Sequence, residues 1–227
     1  MDKIRMRKLV ITIDGPAGAG KSTVAKIAAE RLGLPYLDTG AIYRAVTWKL
    51  LEDGIVPGDT EKIAAALKSI SVSLSGGSVS VNGRDVTAEI RRPAVDSAVS
   101  SVSALRPVRD ALMGFQRRQA LEGLVADGRD MGTVVFPDAD LKIFLTADAG
   151  ERAMRRYKER VARGENADFD EILKYVNERD LYDMNREIAP LRPAPGCVIL
   201  DSTKMTIGEV ADVIVSLAEE LGAGREN

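Results

Sequence analysis

Gly15-Pro16-Ala17-Gly18-Ala19-Gly20-Lys21-Ser22-Thr23 fits the pattern GxxxxGK[ST], and that spacing has a chemical meaning. Glycines let the backbone wrap an anion with its N–H groups turned inward. A lysine at this spacing neutralises the β- and γ-phosphates of a nucleoside triphosphate, and the hydroxyl after it can ligate Mg²⁺. Gly15 to Thr23 are therefore expected to hold a triphosphate, with Lys21 acting on the charge that moves and Ser22 on the metal. A second set follows a second apolar run: Leu124-Val125-Ala126 leads into Asp127-Gly128-Arg129-Asp130. This places a carboxylate at the C-terminal end of a strand, where open α/β sheets bind ligands. Asp127 could hold Mg²⁺ through water, Arg129 suits a phosphate and Asp130 a hydrogen-bond donor, although an ordinary polar loop would look the same.

Three further stretches carry groups of the same kind. Leu37-Asp38-Thr39-Gly40-Ala41-Ile42-Tyr43-Arg44 reads as a strand end entering a helix, with Thr39 as N-cap and Tyr43 one turn on. From Glu151 to Gly164 lie Arg152, Arg155, Arg156, Lys158, Arg160 and Arg163 against Glu151 and Glu159. Arg152, Arg156, Arg160 and Arg163 share a helical face, which is either solvated or part of a lid that closes arginines over a γ-phosphate. Asp168 with Glu171 opens another helix, along which Ile172, Val176, Arg179, Asp183 and Arg186 form one stripe that begins apolar and turns charged. Charges on an inner face are costly unless paired or met by a ligand, and the stripe favours an anionic ligand at that end. Histidine is absent. The commonest general base is thereby missing, which suits phosphoryl transfer, where positioning and charge neutralisation carry most of the catalysis.

The elements that must position these groups can be read from the apolar runs. Lys8 to Asp14, Pro35 to Asp38, Leu124 to Asp127, Leu141 to Thr146 and Cys197 to Asp201 read as doubly covered parallel strands. Between them, Val24, Ile27, Ala28 and Leu32 define one helix that Gly33 closes. Thr206 with Glu209 forms a capping box before Ile207, Val210, Val213, Ile214, Leu217 and Leu221. Alternating strand and helix implies an α/β fold with helices on both faces of a parallel sheet. One segment departs from this rhythm: Ile70, Val72 and Leu74 alternate, Gly76-Gly77 turns, Val79 and Val81 alternate, and Asn82-Gly83 turns again. It reads as an antiparallel insert over 69–104, leaving 1–68 and 105–227 as the core, with the lid within 150–170. Asp96 to Ser103 is serine-rich enough for a loop or a polar helix face.

The bulk composition limits the alternatives. With 32 basic and 34 acidic residues among 227, the formal charge is −2, so no broad basic field for a nucleic-acid polymer is expected. The single cysteine, Cys197, excludes an internal disulfide and fits the cytoplasm, as a small buried hydrophobe. The run from Leu9 to Ile13 is too short for a membrane span, and no membrane partner is expected.

Taken together, GPAGAGKST, LDTGAIYR, RPVRDAL, DGRDMGTVVFPDADLKIFL and NERDLYDMNRE resemble, in this order and over nearly the whole chain, the bacterial cytidylate kinases. The resemblance implies a three-layer P-loop NTPase fold with a five-stranded parallel sheet, a small antiparallel insert and a helical lid. It also implies ATP, as its Mg²⁺ complex, and CMP or dCMP as substrates, and a monomer is expected. Carried over by motif position, Thr39, Arg44, Arg129 and Arg186 would hold the CMP phosphate with Tyr43 packing nearby. Ser100, Arg109 and Asp130 would read the cytosine edge, and Arg179 and Asp183 the sugar. Arg155 and Arg156 match lid arginines that join Lys21 in catalysis. The insert separates these enzymes from shikimate and gluconate kinases, which share the phosphate loop. On residue chemistry alone, another small acceptor remains the closest rival. A GTP-hydrolysing switch lacks support, because no NKxD-type guanine-reading sequence is present.

Overall fold

The computed structural model describes residues 8–223. In chain order the elements are β1 (Val10–Asp14), α1 (Lys21–Leu32), β2 (Tyr36–Asp38), α2 (Thr39–Glu52), α3 (Thr60–Leu67), β3 (Val72–Ser75), β4 (Ser78–Val81) and β5 (Arg84–Asp85). There follow α4 (Pro93–Ala104), α5 (Arg106–Arg118), β6 (Leu124–Gly128), β7 (Leu141–Thr146), α6 (Ala149–Ala162), α7 (Phe169–Asn185), β8 (Val198–Asp201) and α8 (Ile207–Ala223). They fall into two compact units, one built from the residues up to Leu37 with those from Gln119 on, the other from Asp38–Arg118.

The first unit holds the expected five-stranded sheet, in the order β2-β6-β1-β7-β8. β1 runs parallel to β6 and β7, and β7 parallel to β8. Alternation along β1 sorts its residues: Leu9, Ile11 and Ile13 share one core with Val24, Ala25 and Ala28 of α1 and Val210, Ala211 and Ile214 of α8. Thr12 and Asp14 face the other way and are also buried. Gly33 closes α1 at φ 65°, and the Thr206–Glu209 capping box forms, with Glu209 Oε2 accepting from the Thr206 N–H and hydroxyl. β8 departs from the doubly covered reading, since Val198 is 38% and Ile199 63% exposed. An edge strand has a neighbour on one side alone, and Cys197, just before β8, is half-buried rather than buried.

The second unit carries the antiparallel meander β3-β4-β5, with Val72 opposite Val81 and Leu74 opposite Val79. Val79, Val81 and Val86 pack with Ala41, Ala45 and Trp48 of α2. The serine-rich stretch is helical: it lies in α4, whose Pro93 occupies the first turn and whose Val95, Val99 and Val102 are buried at helical spacing. Ser101 and Ser103 return their hydroxyls to backbone carbonyls three residues back, which lets a polar sequence remain helical.

Candidate active site

The phosphate loop runs from the end of β1 to the start of α1. Gly18 and Gly20 take φ of 77° and 88°, and the loop N–H groups lead into the N-terminus of α1 at Lys21. Lys21 is 5% exposed and its Nζ donates to the Pro16 carbonyl at 2.7 Å. Burial holds its ammonium well below the ordinary lysine range, and the Arg129 guanidinium pushes in the same direction. Ser22 Oγ donates to Asp127 Oδ2 at 2.7 Å, while the other oxygen of Asp127 accepts from the Tyr36 hydroxyl at 2.9 Å. A serine hydroxyl and a buried carboxylate in contact are hard oxygen donors of the kind Mg²⁺ takes, with phosphate and water completing its shell.

Beyond β6 the chain forms a π-helical turn, Met131–Val135, closed by bonds from the Val135 N–H to the Asp130 carbonyl (3.2 Å) and from the Phe136 N–H to the Met131 carbonyl (2.6 Å). Just before this turn, Arg129 and Asp130 form two pairs of opposite charge with α7 and its end. Arg129 Nε donates to Asp183 Oδ2 at 2.9 Å, and Arg186 Nη2 lies 3.4 Å from Asp130 Oδ1 while its Nε donates to the Ala189 carbonyl. Asp130, Asp183 and Arg186 are buried, so the charged end of the α7 stripe faces inward. Arg179 donates to the Tyr175 hydroxyl at 3.3 Å, and its charge reaches Lys21.

The arginines of α6 divide. Arg155 pairs with Glu151 and donates through Nη2 to the Ser202 carbonyl at 2.9 Å, leaving Nη1 buried without a partner among the described residues. Arg156 lies over the Tyr175 ring at 4.9 Å. Arg160 and Arg163 both reach Glu165. Arg152 turns inward: it donates to the carbonyls of Ala147 and, in the phosphate loop, Ala17, both at 2.9 Å, and pairs with Asp180 at 2.6 Å.

In the second unit Asp38, not Thr39, caps α2, accepting from the Ala41 N–H at 2.8 Å. A carboxylate one residue earlier takes the helix-end donor, which places Thr39 inside the first turn, 2% exposed. Arg109 lies over the Tyr43 ring at 5.6 Å and donates to the Ser103 carbonyl, while Arg44 pairs with Asp96 at 2.5 Å. Ser100 sits on the α4 turn before Ser103, half-buried.

The cytidylate kinase family matches residues 11–220 of the chain. The chain belongs to the cytidylate kinase family. Among its relatives, the cytidylate kinase of Caldicellulosiruptor saccharolyticus is 46% identical over 93% of this chain and 96% of its own. That of Desulforamulus reducens is 49% identical over 92% and 96%, and one from Clostridium botulinum 42% over 93% and 98%.

Three residues of this cytidylate kinase family member escape a reading of its motifs: Asp14, Tyr36 and the Asp180 partner of Arg152. The arginine run points to Arg152 as a charge, but its inward turn depends on Asp180, whose distance along the chain hides the pairing. Asp180→Ala would leave Arg152 buried with its charge uncompensated and loosen its hold on Ala17. We expect a loss of about 3–5 kcal/mol in urea denaturation, and a weaker KM for ATP in the folded remainder. Unchanged stability would mean that Arg152 reaches water.

Proposed function

We propose that this chain is a cytidylate kinase that transfers the γ-phosphoryl group of ATP to CMP or dCMP, yielding ADP with CDP or dCDP. The observation that carries this reading is the meeting, within one unit, of a phosphate loop and two arginine–carboxylate pairs, one buried and one partly buried, beyond the ends of the paired strands β1 and β6. The loop from Gly15 to Thr23 would take the ATP phosphates. An oxygen of the CMP phosphate forms the new bond to the γ-phosphorus as the bond to the β–γ bridging oxygen breaks, and ADP leaves with that oxygen. No general base is required, because the attacking oxygen is already anionic. Lys21 moves from the Pro16 carbonyl to the transferring phosphate, where anionic charge offsets the burial that now disfavours its proton.

Ser22 and Asp127 would hold Mg²⁺, which supplies charge neutralisation on the triphosphate. Arg44, Arg129 and Arg186 are assigned to the acceptor phosphate with Thr39. Arg179 and Asp183 are assigned to its sugar, and Ser100, Arg109 and Asp130 to the base, with Tyr43 supporting Arg109. Arg155 and Arg156 would close over the transferred group from α6. One cysteine, Cys197, unpaired, accords with work in the cytoplasm, and no helix among the described residues is long and apolar enough to cross a membrane.

A coupled ADP assay with CMP, dCMP, UMP, AMP and shikimate tests the assignment, and preference for any acceptor but the cytidine nucleotides defeats it. Base reading has its own test. Asp130, 2% exposed, would accept from the exocyclic amine of cytosine, where uracil presents a second acceptor and leaves the carboxylate unpaired. Asp130→Asn should narrow the ratio of kcat/KM for CMP over UMP by on the order of 10-fold, and an unchanged ratio would place base recognition elsewhere.

A further inference from the structure

Asp14 ends β1, immediately before the phosphate loop, and is 3% exposed. Its two oxygens are both committed. Oδ1 accepts from the Met131 N–H at 2.8 Å and Oδ2 from the Gly132 N–H at 2.7 Å. These are the first donors of the π-helical turn, which as at any helix start have no partner within the turn. The residue before such a turn ordinarily supplies the cap, and aspartate is among the best at doing so. Here that residue is Asp130, and it makes no side-chain cap bond. Its carboxylate instead meets Arg186.

We infer that Asp14 is a positioning residue for the acceptor nucleotide: by capping the Met131–Val135 turn from β1, it releases the carboxylate of Asp130 and the neighbouring Arg129 to face the ligand. The inference rests on the assignment of Arg129 and Asp130 to CMP. Asp14 acts through the turn, each of its oxygens accepting from one of the turn's first two N–H groups.

The fit is tight and permits little substitution. A carboxylate alone among side chains accepts with both ends, whereas an amide would set an N–H₂ against one of the two backbone donors. A methyl group on Gly132 would lie 2.9 Å from Thr12 Oγ1, 3.2 Å from Ala194 Cβ and 3.4 Å from Asp14 Oδ2. The arrangement is also expensive to hold. Burial pushes the Asp14 carboxyl up to about 6, helped by the charge of Asp130, while the Gly132 and Met131 bonds and the charge of Lys21 restrain it. A buried anion is retained here at the point where strand and turn must stay in register, β1 being paired with β6 from Val10–Leu124 to Asp14–Gly128.

Asp14→Asn and Gly132→Ala disturb the same contact from opposite sides, the second without removing a charge. For Gly132→Ala the expected result is a KM for CMP raised ~10-fold or more, with KM for ATP within ~3-fold of the parent. Asp14→Asn should raise the KM for CMP by a similar factor. A merely structural role would lower the melting temperature and leave this split absent, and CMP constants within ~2-fold in both variants overturn the inference. Asp130→Asn and Arg129→Ala are assayed beside them. If those two leave the KM for CMP unchanged, the acceptor assignment fails; if they raise it and the first two do not, the role of Asp14 fails alone. Should both test variants unfold, amide exchange in the unmutated protein decides. Met131 and Gly132 should be as protected as the β1 amides before CMP is added, and protection that arises only with CMP overturns the inference.

Discussion

Lys21→Ala should lower kcat by on the order of 10²-fold or more while the protein melts no lower than its parent. The two halves of this expectation have one origin. Lys21 is buried, bonded to a single carbonyl, and surrounded by the charges of Arg129 and Arg179 as well as those of Asp127 and Asp14. Its folded-state pKa lies well below its unfolded one, so the native state disfavours the proton, and the contribution of this group to stability falls as pH drops below the unfolded value of 10.5. Below that value the fold opposes the proton, and removing the side chain removes that opposition. Under the role proposed for it, the same cation would meet growing negative charge in the transition state from a buried position, where its effect on rate is large. Calorimetric melting and single-turnover phosphoryl transfer measured on one preparation check both halves. Near-normal turnover would remove Lys21 from the mechanism, and a large fall in melting temperature would mean that it braces the loop instead.

Gly15→Ala should be the most damaging single methyl group in the phosphate loop. Gly15 sits at φ 151°, and a Cβ there would lie 1.9 Å from the Leu145 carbonyl oxygen. Neither side can yield: Asp14 is paired with Phe144 across β1 and β7, and Leu145 continues that strand into its pairing with β8. We expect a loss of about 4 kcal/mol or more, read as a shift of the urea midpoint, together with loss of ATP binding in whatever remains folded. Gly33→Ala is the matched control. It also has a positive φ, 65°, but no atom lies within 4 Å of the added carbon, so the cost should be near 1 kcal/mol. Similar losses at the two sites would show that backbone preference rather than collision governs Gly15.

The phosphate loop, the parallel sheet, the meander and the capping boxes were legible because each is written in adjacent residues or at a short period. Gly15 to Ser22 carries its chemistry in one octapeptide, and Thr206 with Glu209 or Asp168 with Glu171 needs three residues of spacing. The errors lie where neighbours in space decide. An apolar run such as Val198 to Leu200 reads alike in the middle of a sheet and at its edge, and only the strand order puts it at the edge. The cap of α2 moved from Thr39 to Asp38 because both can cap, and the carboxylate wins when its geometry reaches Ala41. The inward contacts of Asp14 and Arg152 were illegible for a further reason. Their partners stand 117 and 135 positions away, Met131 for one and Ala17 for the other, and nothing local distinguishes a charge that will be buried from one that will meet water.

Under the acceptor assignment proposed above, the two arginines of the first unit are already occupied, Arg129 by Asp183 and Arg186 by Asp130. An incoming phosphate therefore meets ion pairs rather than bare cations, and binding becomes an exchange of anions. Much of the Coulombic gain is cancelled by the carboxylates that are displaced or shared, so a singly charged intruder such as chloride or acetate gains little. A dianionic monophosphate, which offers three oxygens to several guanidinium groups at once, can still displace them. On that assignment the carboxylates would act as a charge threshold that gives selectivity for the dianion.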